Sequence, residues 1–201
     1  MSDNEISVIT SQEELNAFCT ALSKSDVIFV DTEFHRESTY WPTLCLIQAA
    51  ADDVEGMIDP MVDGLDLKPF LDLMADPDIG KVFHAARQDM EIFTRMLGAP
   101  PAPIFDTQIA AMALGLGDSI SYENLISQLT GNQVDKSSQF TDWTRRPLSQ
   151  KQLKYALGDV THLRAAYRKM AETLDAKDRW SWIEADHMAL SAPELYMTDP
   201  K

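Results

Sequence analysis

The sequence contains only two cysteines, Cys19 and Cys45, and no apolar run approaches the roughly 20 residues that a membrane-spanning helix needs. Two cysteines are too few for a disulfide framework, so we expect two reduced thiols. The first residues, MSDNEISVITSQEEL, are polar and acidic and do not resemble a secretory signal. These absences predict a cytoplasmic protein without a membrane segment.

Basic residues are also scarce, with 17 Lys and Arg against 32 Asp and Glu, a net charge of −15. This balance alone argues against a nucleic-acid-binding protein, because affinity for phosphates comes largely from Lys and Arg. The basic residues are not evenly spread, however. Residues 136–169 have a net charge of +6, with eight basic residues and two acids: Lys136, Arg145, Arg146, Lys151, Lys154, Arg164, Arg168 and Lys169 against Asp142 and Asp159. Such a segment is either a phosphate-binding surface or a solvated helix face.

The order of predicted elements indicates an α/β domain with a central mixed sheet. Strands are predicted at 27–34, 43–51, 55–59, 80–85 and 103–107. Helices are predicted at 10–23, 67–76, 86–97, 108–114, 121–131 and 149–173. No internal repeat or linker interrupts this order, and we therefore expect residues 1–201 to form one domain.

Two acids directly follow the first apolar strand, in the stretch VIFVDTEFH. Side chains alternate along a strand, so Asp31 and Glu33 share one face. Like charges this close raise each other's pKa or require a cation. An end cap, an ion pair or plain exposure is the alternative interpretation of each acid.

Two further acids lie on predicted helices. Asp89 falls within the apolar stripe of its helix, where a carboxylate is costly unless it is paired or bound to a metal. On the long helix, Tyr155, Asp159 and His162 share one face, since residues three and four apart are neighbours. We expect this face at the rim of a buried stripe formed by Leu153, Leu157, Val160, Tyr167 and Met170.

Three ordered segments, DTEF, HAARQDMEIF and YALGDV, resemble the exonuclease motifs of the DEDD superfamily. The tyrosine four residues before the last aspartate marks the tyrosine subgroup. The flanking segments STYWPTLCLIQ, KVFHAARQDME, DTQIAA and DKSSQFTDWTRRPLSQKQLKYALGDV are similar to the ribonuclease D family. A lone Asp-x-Glu pair would be weak, whereas three motifs in order with these flanks, over about residues 25 to 198, are specific.

The resemblance implies a ribonuclease H-like fold, with a five-stranded mixed sheet flanked by helices. It also implies a 3′-5′ exoribonuclease that uses two divalent ions, Mg²⁺ or Mn²⁺, and releases nucleoside 5′-monophosphates. Asp31, Glu33 and Asp159 would hold the first ion, and Asp31 would bridge to a second ion near Asp89. Tyr155 would position the attacking water.

The same resemblance implies that the partner is a single-stranded RNA 3′ end, including that of precursor transfer RNA. The sequence shows no sign of a coiled coil or of an exposed apolar stripe, so we expect a monomer without an obligate protein partner. Six residues are weaker candidates for substrate binding, with core packing or a structural role as the alternative: Phe34, His35, His84, Trp143, Arg145 and Arg146. DNA or very short oligonucleotides remain alternative substrates, and a non-catalytic RNA-binding module remains an alternative function. Helical RNA-binding domains that usually follow the family's nuclease domain have no counterpart here, so we expect a short or truncated form.

Overall fold

A five-stranded mixed sheet forms the centre of the protein, in a computed structural model that describes residues 6–37, 39–135 and 137–197. The strands are β1 (Val27–His35), β2 (Thr43–Ala50), β3 (Glu55–Ile58), β4 (Gly80–Phe83) and β5 (Ile104–Asp106), and their order in the sheet is β3-β2-β1-β4-β5. The β1-β2-β3 pairings are antiparallel, whereas β1-β4 and β4-β5 are parallel. The five predicted strands and the mixed sheet are confirmed.

Helices cover both faces of this sheet: α1 (Gln12–Leu22), α2 (Lys68–Ala75), α3 (Arg87–Leu97), α4 (Thr107–Leu114), α5 (Tyr122–Thr130), α6 (Gln150–Lys177) and α7 (Ser181–Leu190), followed by a 3₁₀ turn (Pro193–Leu195). Helix α6 begins at the predicted capping box, in which Ser149 and Gln152 exchange hydrogen bonds with each other's backbone. Within the described ranges, none of the helices combines the length and the apolarity that crossing a bilayer requires.

The alternation of β1 decides which residues reach which helical layer. Ile28 and Val30 face a core formed with α1, α2 and α3, whereas Phe29 faces a core formed with α4, α5 and α6. By the same alternation, Asp31 and Glu33 lie on the α6 side of the sheet and Thr32 lies on the α3 side. The end of β1 therefore presents polar side chains to both layers.

The prediction that Asp159 lies at the rim of the buried stripe of α6 is wrong. Asp159 is 7% exposed, and the stripe includes the small residues Ala156 and Ala166 as well as Leu163. Leu157 and Tyr167, which the apolar pattern assigns to the buried stripe, are only half-buried. Asp159 shares a face of α6 with these buried alanines and therefore points into the interior.

Candidate active site

The second half of β1 extends beyond its neighbour β4. Their parallel pairing ends at Phe29, while β1 continues to His35 alongside β2. Between Glu33 and Phe34 the register with β2 shifts, which is the mark of a β-bulge. The register passes over Cys45, so the extra residue lies on β2, and bulges are over-represented next to active sites. Asp31 and Glu33 thus lie on the part of β1 that pairs with β2 but no longer with β4.

Asp31, Glu33 and Asp159 converge on the α6 side of the sheet. Each offers one carboxylate oxygen, and these three atoms lie within 4.8 Å of one another. The strand fixes Asp31 and Glu33 two residues apart on one face, and α6 brings Asp159 over them. The structure therefore brings together residues that are more than 120 positions apart in the sequence.

Asp89 approaches the same strand end from the α3 layer. It lies in the first turn of α3 and is 6% exposed, as its position within the apolar stripe predicted. The Thr32 hydroxyl donates a hydrogen bond of 2.5 Å to Asp89 Oδ1. Both Asp89 and Asp31 line one cleft, so the fourth acid joins the cluster from the opposite side of β1.

Burial raises the pKa of all four acids, and neighbouring carboxylates add to this rise in Asp31, Glu33 and Asp89. Burial is the largest cause of the raised pKa of Asp31 and of Asp89, and in each case another carboxylate of the group adds to it. Burial and the charges of the other three raise the pKa of Glu33 to about 10. Burial raises the pKa of Asp159 to about 7, against a hydrogen bond from Tyr155 that lowers it. Among the described residues, every charged group that shifts these pKa values is itself a carboxylate.

This donor set fits a divalent metal. Hard cations such as Mg²⁺ and Mn²⁺ prefer carboxylate oxygens, and the cluster supplies four buried or half-buried carboxylates whose pKa values no described basic side chain lowers. Buried charges are otherwise costly, because each must be paired or protonated. The geometry of Asp31, Glu33 and Asp159 therefore supports one ion directly, with Asp89 adjacent to it.

Two tyrosines flank the acids. Tyr155 lies one helical turn before Asp159, and burial followed by the Asp159 charge raises its pKa above the usual range. Tyr122, which the sequence analysis did not single out, donates its hydroxyl to the backbone oxygens of Gly158 and Asp159. Both tyrosines line a small cavity of about 130 Å³ together with Asp31, Asp159 and His84. Tyr122 thus holds the segment of α6 that carries Asp159. The only sequence signal for this role is an aromatic residue in the first turn of a helix.

A cleft of about 490 Å³ opens over the acids, within the range of about 300–1,000 Å³ typical of ligand sites. Phe34, His35, His84 and Trp143, four of the six predicted substrate-binding residues, line it. Trp143 is 4% exposed and packs against Tyr155, with ring centroids 6.1 Å apart. Trp143 therefore belongs to the core and to the cleft wall at once.

His84 is held at the cleft by α4. Its Nδ1 lies 2.9 Å from the Thr107 hydroxyl, which itself donates to the Phe83 carbonyl. Burial lowers the pKa of His84, so the neutral imidazole is favoured at neutral pH.

The two arginines of the set lie outside the residues that line this cleft. Arg146 donates through Nε and Nη2 to the Asp59 carboxylate, at 2.5 and 2.7 Å, and also to the carbonyls of Cys45, Trp143 and Arg145. All of its N–H donors bind protein acceptors, which leaves no free N–H on Arg146 for the predicted phosphate contact. Arg145 makes only an exposed ion pair with Asp142 at 3.0 Å and remains at the surface.

The rest of the basic segment is also largely engaged. Arg164 donates to the Ala51 and Asp52 carbonyls, Arg168 to the Asp52 carboxylate, and Lys169 to the Leu129 carbonyl. Lys151 and Lys154 are exposed and line a recess beside Tyr155. Lys136 lies outside the described residues. Much of the positive charge in this segment therefore ties α6 and its preceding loop to the sheet.

The comparison with known proteins agrees with this geometry. Residues 6–175 match the model of a family described as 3′-5′ exonuclease. Ribonuclease D of Granulibacter bethesdensis is 48% identical over 193 residues, 96% of this chain and 49% of that protein. The chain thus spans about half the length of the curated relatives it matches.

Solved structures share the fold. The crystal structure of Escherichia coli RNase D, described as an exoribonuclease involved in structured RNA processing, has a TM-score of 0.90 and 31% identity and covers 96% of this chain and 51% of its own. Brucella melitensis NrnC with bound Mg²⁺ has a TM-score of 0.75 and 25% identity, over 87% and 85% of the two chains. The predicted resemblance and the ribonuclease H-like fold are confirmed, and the chain belongs to the 3′-5′ exonuclease family.

Proposed function

We propose that the protein is a metal-dependent 3′→5′ exoribonuclease that releases nucleoside 5′-monophosphates. The observation that carries this proposal is the convergence of Asp31, Glu33 and Asp159 within 4.8 Å, with Asp89 and Tyr155 on the same cleft. Ribonuclease D relatives that are 44–49% identical over nearly the whole chain support the same activity. Sequence motifs, site geometry and relatives thus point to one reaction class.

Two divalent ions, Mg²⁺ or Mn²⁺, are the cofactors that this donor set would hold. Asp31, Glu33 and Asp159 would bind the first, and Asp31 together with Asp89 would bind the second. Bound there, the ions would lower the pKa of the attacking water and stabilise charge on the phosphate oxygens. The bound charge would also make an acidic cleft compatible with a phosphodiester.

The protein's own side chains would orient the attacking water and the metal-binding carboxylates. Tyr155 stays protonated at neutral pH because its pKa is raised by burial and by Asp159, so its hydroxyl acts as a hydrogen-bond donor and acceptor rather than as a base. We assign it the positioning of the attacking water. Thr32 holds Asp89 in place, and Tyr122 holds the backbone that carries Asp159.

RNA is the proposed substrate, as single-stranded 3′ ends that include those of precursor transfer RNA. The ribonuclease D relatives support RNA, whereas DNA and short oligonucleotides are the alternatives. The ribose 2′-hydroxyl is the group by which a protein tells RNA from DNA. Labelled RNA and DNA of one sequence should therefore be compared, and equal or faster degradation of DNA would contradict the RNA assignment.

The activity itself is tested with a 5′-labelled single-stranded RNA in Mg²⁺, in Mn²⁺ and in chelator. We expect stepwise shortening from the 3′ end and mononucleotide release, both abolished by chelator and by Asp31→Asn. Asp53→Asn, at an exposed loop position, is the matched control and should keep full activity. An active Asp31→Asn variant would refute the metal assignment, and a wild-type protein that binds RNA without shortening it would favour a binding module.

A further inference from the structure

Phe140 is the most exposed large hydrophobic side chain in the described part of the protein. Its exposed fraction is 93%, yet it lines the same cleft as Asp31, Asp89 and Tyr155. It has no ring contact with any described residue. An aromatic ring exposed at a cleft offers a large apolar π face on which a ligand can pack.

The turn that carries Phe140 is anchored on both sides. Ser138 is 2% exposed and Trp143 is 4% exposed, so the chain is buried before and after the exposed ring. The backbone N–H and the hydroxyl of Thr141 both donate to the Ser138 carbonyl, at 3.2 and 2.8 Å. Phe140 is therefore exposed on a hydrogen-bonded turn that lies between two buried residues.

The same turn is tied to the helix that carries the proposed catalytic residues. Gln152 Nε2 donates to the Thr141 hydroxyl at 3.1 Å, and Gln152 lies one turn before Tyr155 on α6. The Trp143 ring packs against the Tyr155 ring. The position of Phe140 relative to the acids is thus set by two direct links to α6.

We propose that Phe140 is a stacking platform for one base of the single-stranded substrate at the mouth of the cleft. This inference rests on the proposed function. Every base has a π face, so stacking on an aromatic side chain is tolerant of sequence, which suits an enzyme that removes any nucleotide in turn. Stacking also needs no basic side chain, and few basic side chains are available at this acidic cleft.

The test compares Phe140→Ala, Phe140→Leu and Phe140→Tyr with wild type on a single-stranded RNA. We expect Phe140→Ala to raise KM about tenfold with kcat nearly unchanged, Phe140→Tyr to restore KM, and Phe140→Leu not to restore it. Trp182→Ala is the control, because Trp182 is an exposed aromatic residue that does not line the cleft. Equal KM values for wild type and Phe140→Ala would overturn the proposal, as would full restoration by leucine.

Substrates that lack a single base identify the stacked position. With the base removed at the first, second or third nucleotide from the 3′ end, the Phe140→Ala penalty should vanish at one position only. A penalty that persists with all three substrates would also overturn the proposal. An inactive wild-type protein would instead refute the proposed function, whereas active wild type with an unaffected variant refutes the platform alone. Thermal unfolding of each variant verifies that the fold is retained.

Discussion

The carboxyl of Asp159 has a pKa of about 7 and that of Glu33 about 10, because both are buried and Glu33 also has acidic neighbours. A raised pKa in the folded state means that the native protein binds these protons more tightly than the unfolded chain, whose carboxyls titrate near 4. Without metal, the stability contributed by protonation is fully present below about pH 4. It is lost as pH rises through 7 and towards 10.

Metal should therefore stabilise the protein more at pH 8 than at pH 6, since protons compete with the ion for the same oxygens. At an ion concentration about 100 times the dissociation constant, we expect about 2.7 kcal/mol of added stability. Thermal unfolding in chelator and in Mg²⁺ or Mn²⁺ at both pH values measures this. Asp31→Asn should abolish most of the shift, and a shift of equal size at both pH values would contradict the cluster as the binding site.

Tyr155→Phe separates orientation from metal binding. The variant keeps the ring that packs against Trp143 but loses the hydroxyl beside Asp159, so we expect kcat to fall about 100-fold, as for loss of one positioned hydrogen bond. The metal-induced rise in melting temperature should stay within a few degrees of wild type. Single-turnover rates and unfolding curves provide the two readouts, and an unchanged rate would remove the role assigned to the tyrosine.

The loop before α6 depends on one ion pair with little access to solvent. The Asp59 side chain is 8% exposed and the Arg146 side chain is 29% exposed. The arginine also donates hydrogen bonds to three backbone carbonyls, one in β2 and two in the loop. Arg146→Met should cost about 3 kcal/mol of folding stability, because it leaves a buried carboxylate unpaired. Arg145→Met is the matched control and should change stability by less than about 0.5 kcal/mol. Urea unfolding measures the free energy of unfolding of both variants. Equal small losses would mean that the Asp59 pair does not hold the loop and that Arg146 is available to contact phosphates.

The elements themselves were largely predictable from the sequence, whereas contacts between them were not. Apolar runs and capping signals predict all five strands and the start of α6 at Ser149, because these features are local. Asp159 is buried on the same face of α6 as Ala156 and Ala166, and a pattern drawn from the large apolar side chains does not show that these small residues belong to the buried face. The local cluster of basic residues predicts a phosphate contact for Arg146. Its partner Asp59 lies 87 positions earlier in the chain, where a local pattern cannot reveal it.

Charge is divided unevenly over the whole molecule, and five of the seven described cations in residues 136–169 bind protein acceptors: Arg145, Arg146, Arg164, Arg168 and Lys169. Arg145, Arg168 and Lys169 do so at the surface, and Lys151 and Lys154 are exposed beside Tyr155. Affinity for the single-stranded RNA should therefore come from the metal site and from base stacking more than from basic side chains.

This distribution predicts a shallow salt dependence. Each phosphate neutralised by a basic side chain contributes about −0.7 to the slope of log affinity against log salt for a single strand. With Arg145, Lys151 and Lys154 available, the slope of log(kcat/KM) against log[KCl] should be no steeper than about −2, whereas eight engaged cations would give about −5 or steeper. Measurements of kcat/KM between about 50 and 200 mM KCl at fixed Mg²⁺ distinguish these two slopes. The double variant Lys151→Ala, Lys154→Ala should flatten the slope by about 1.4, and a steep slope that this variant leaves unchanged would mean that phosphates bind elsewhere.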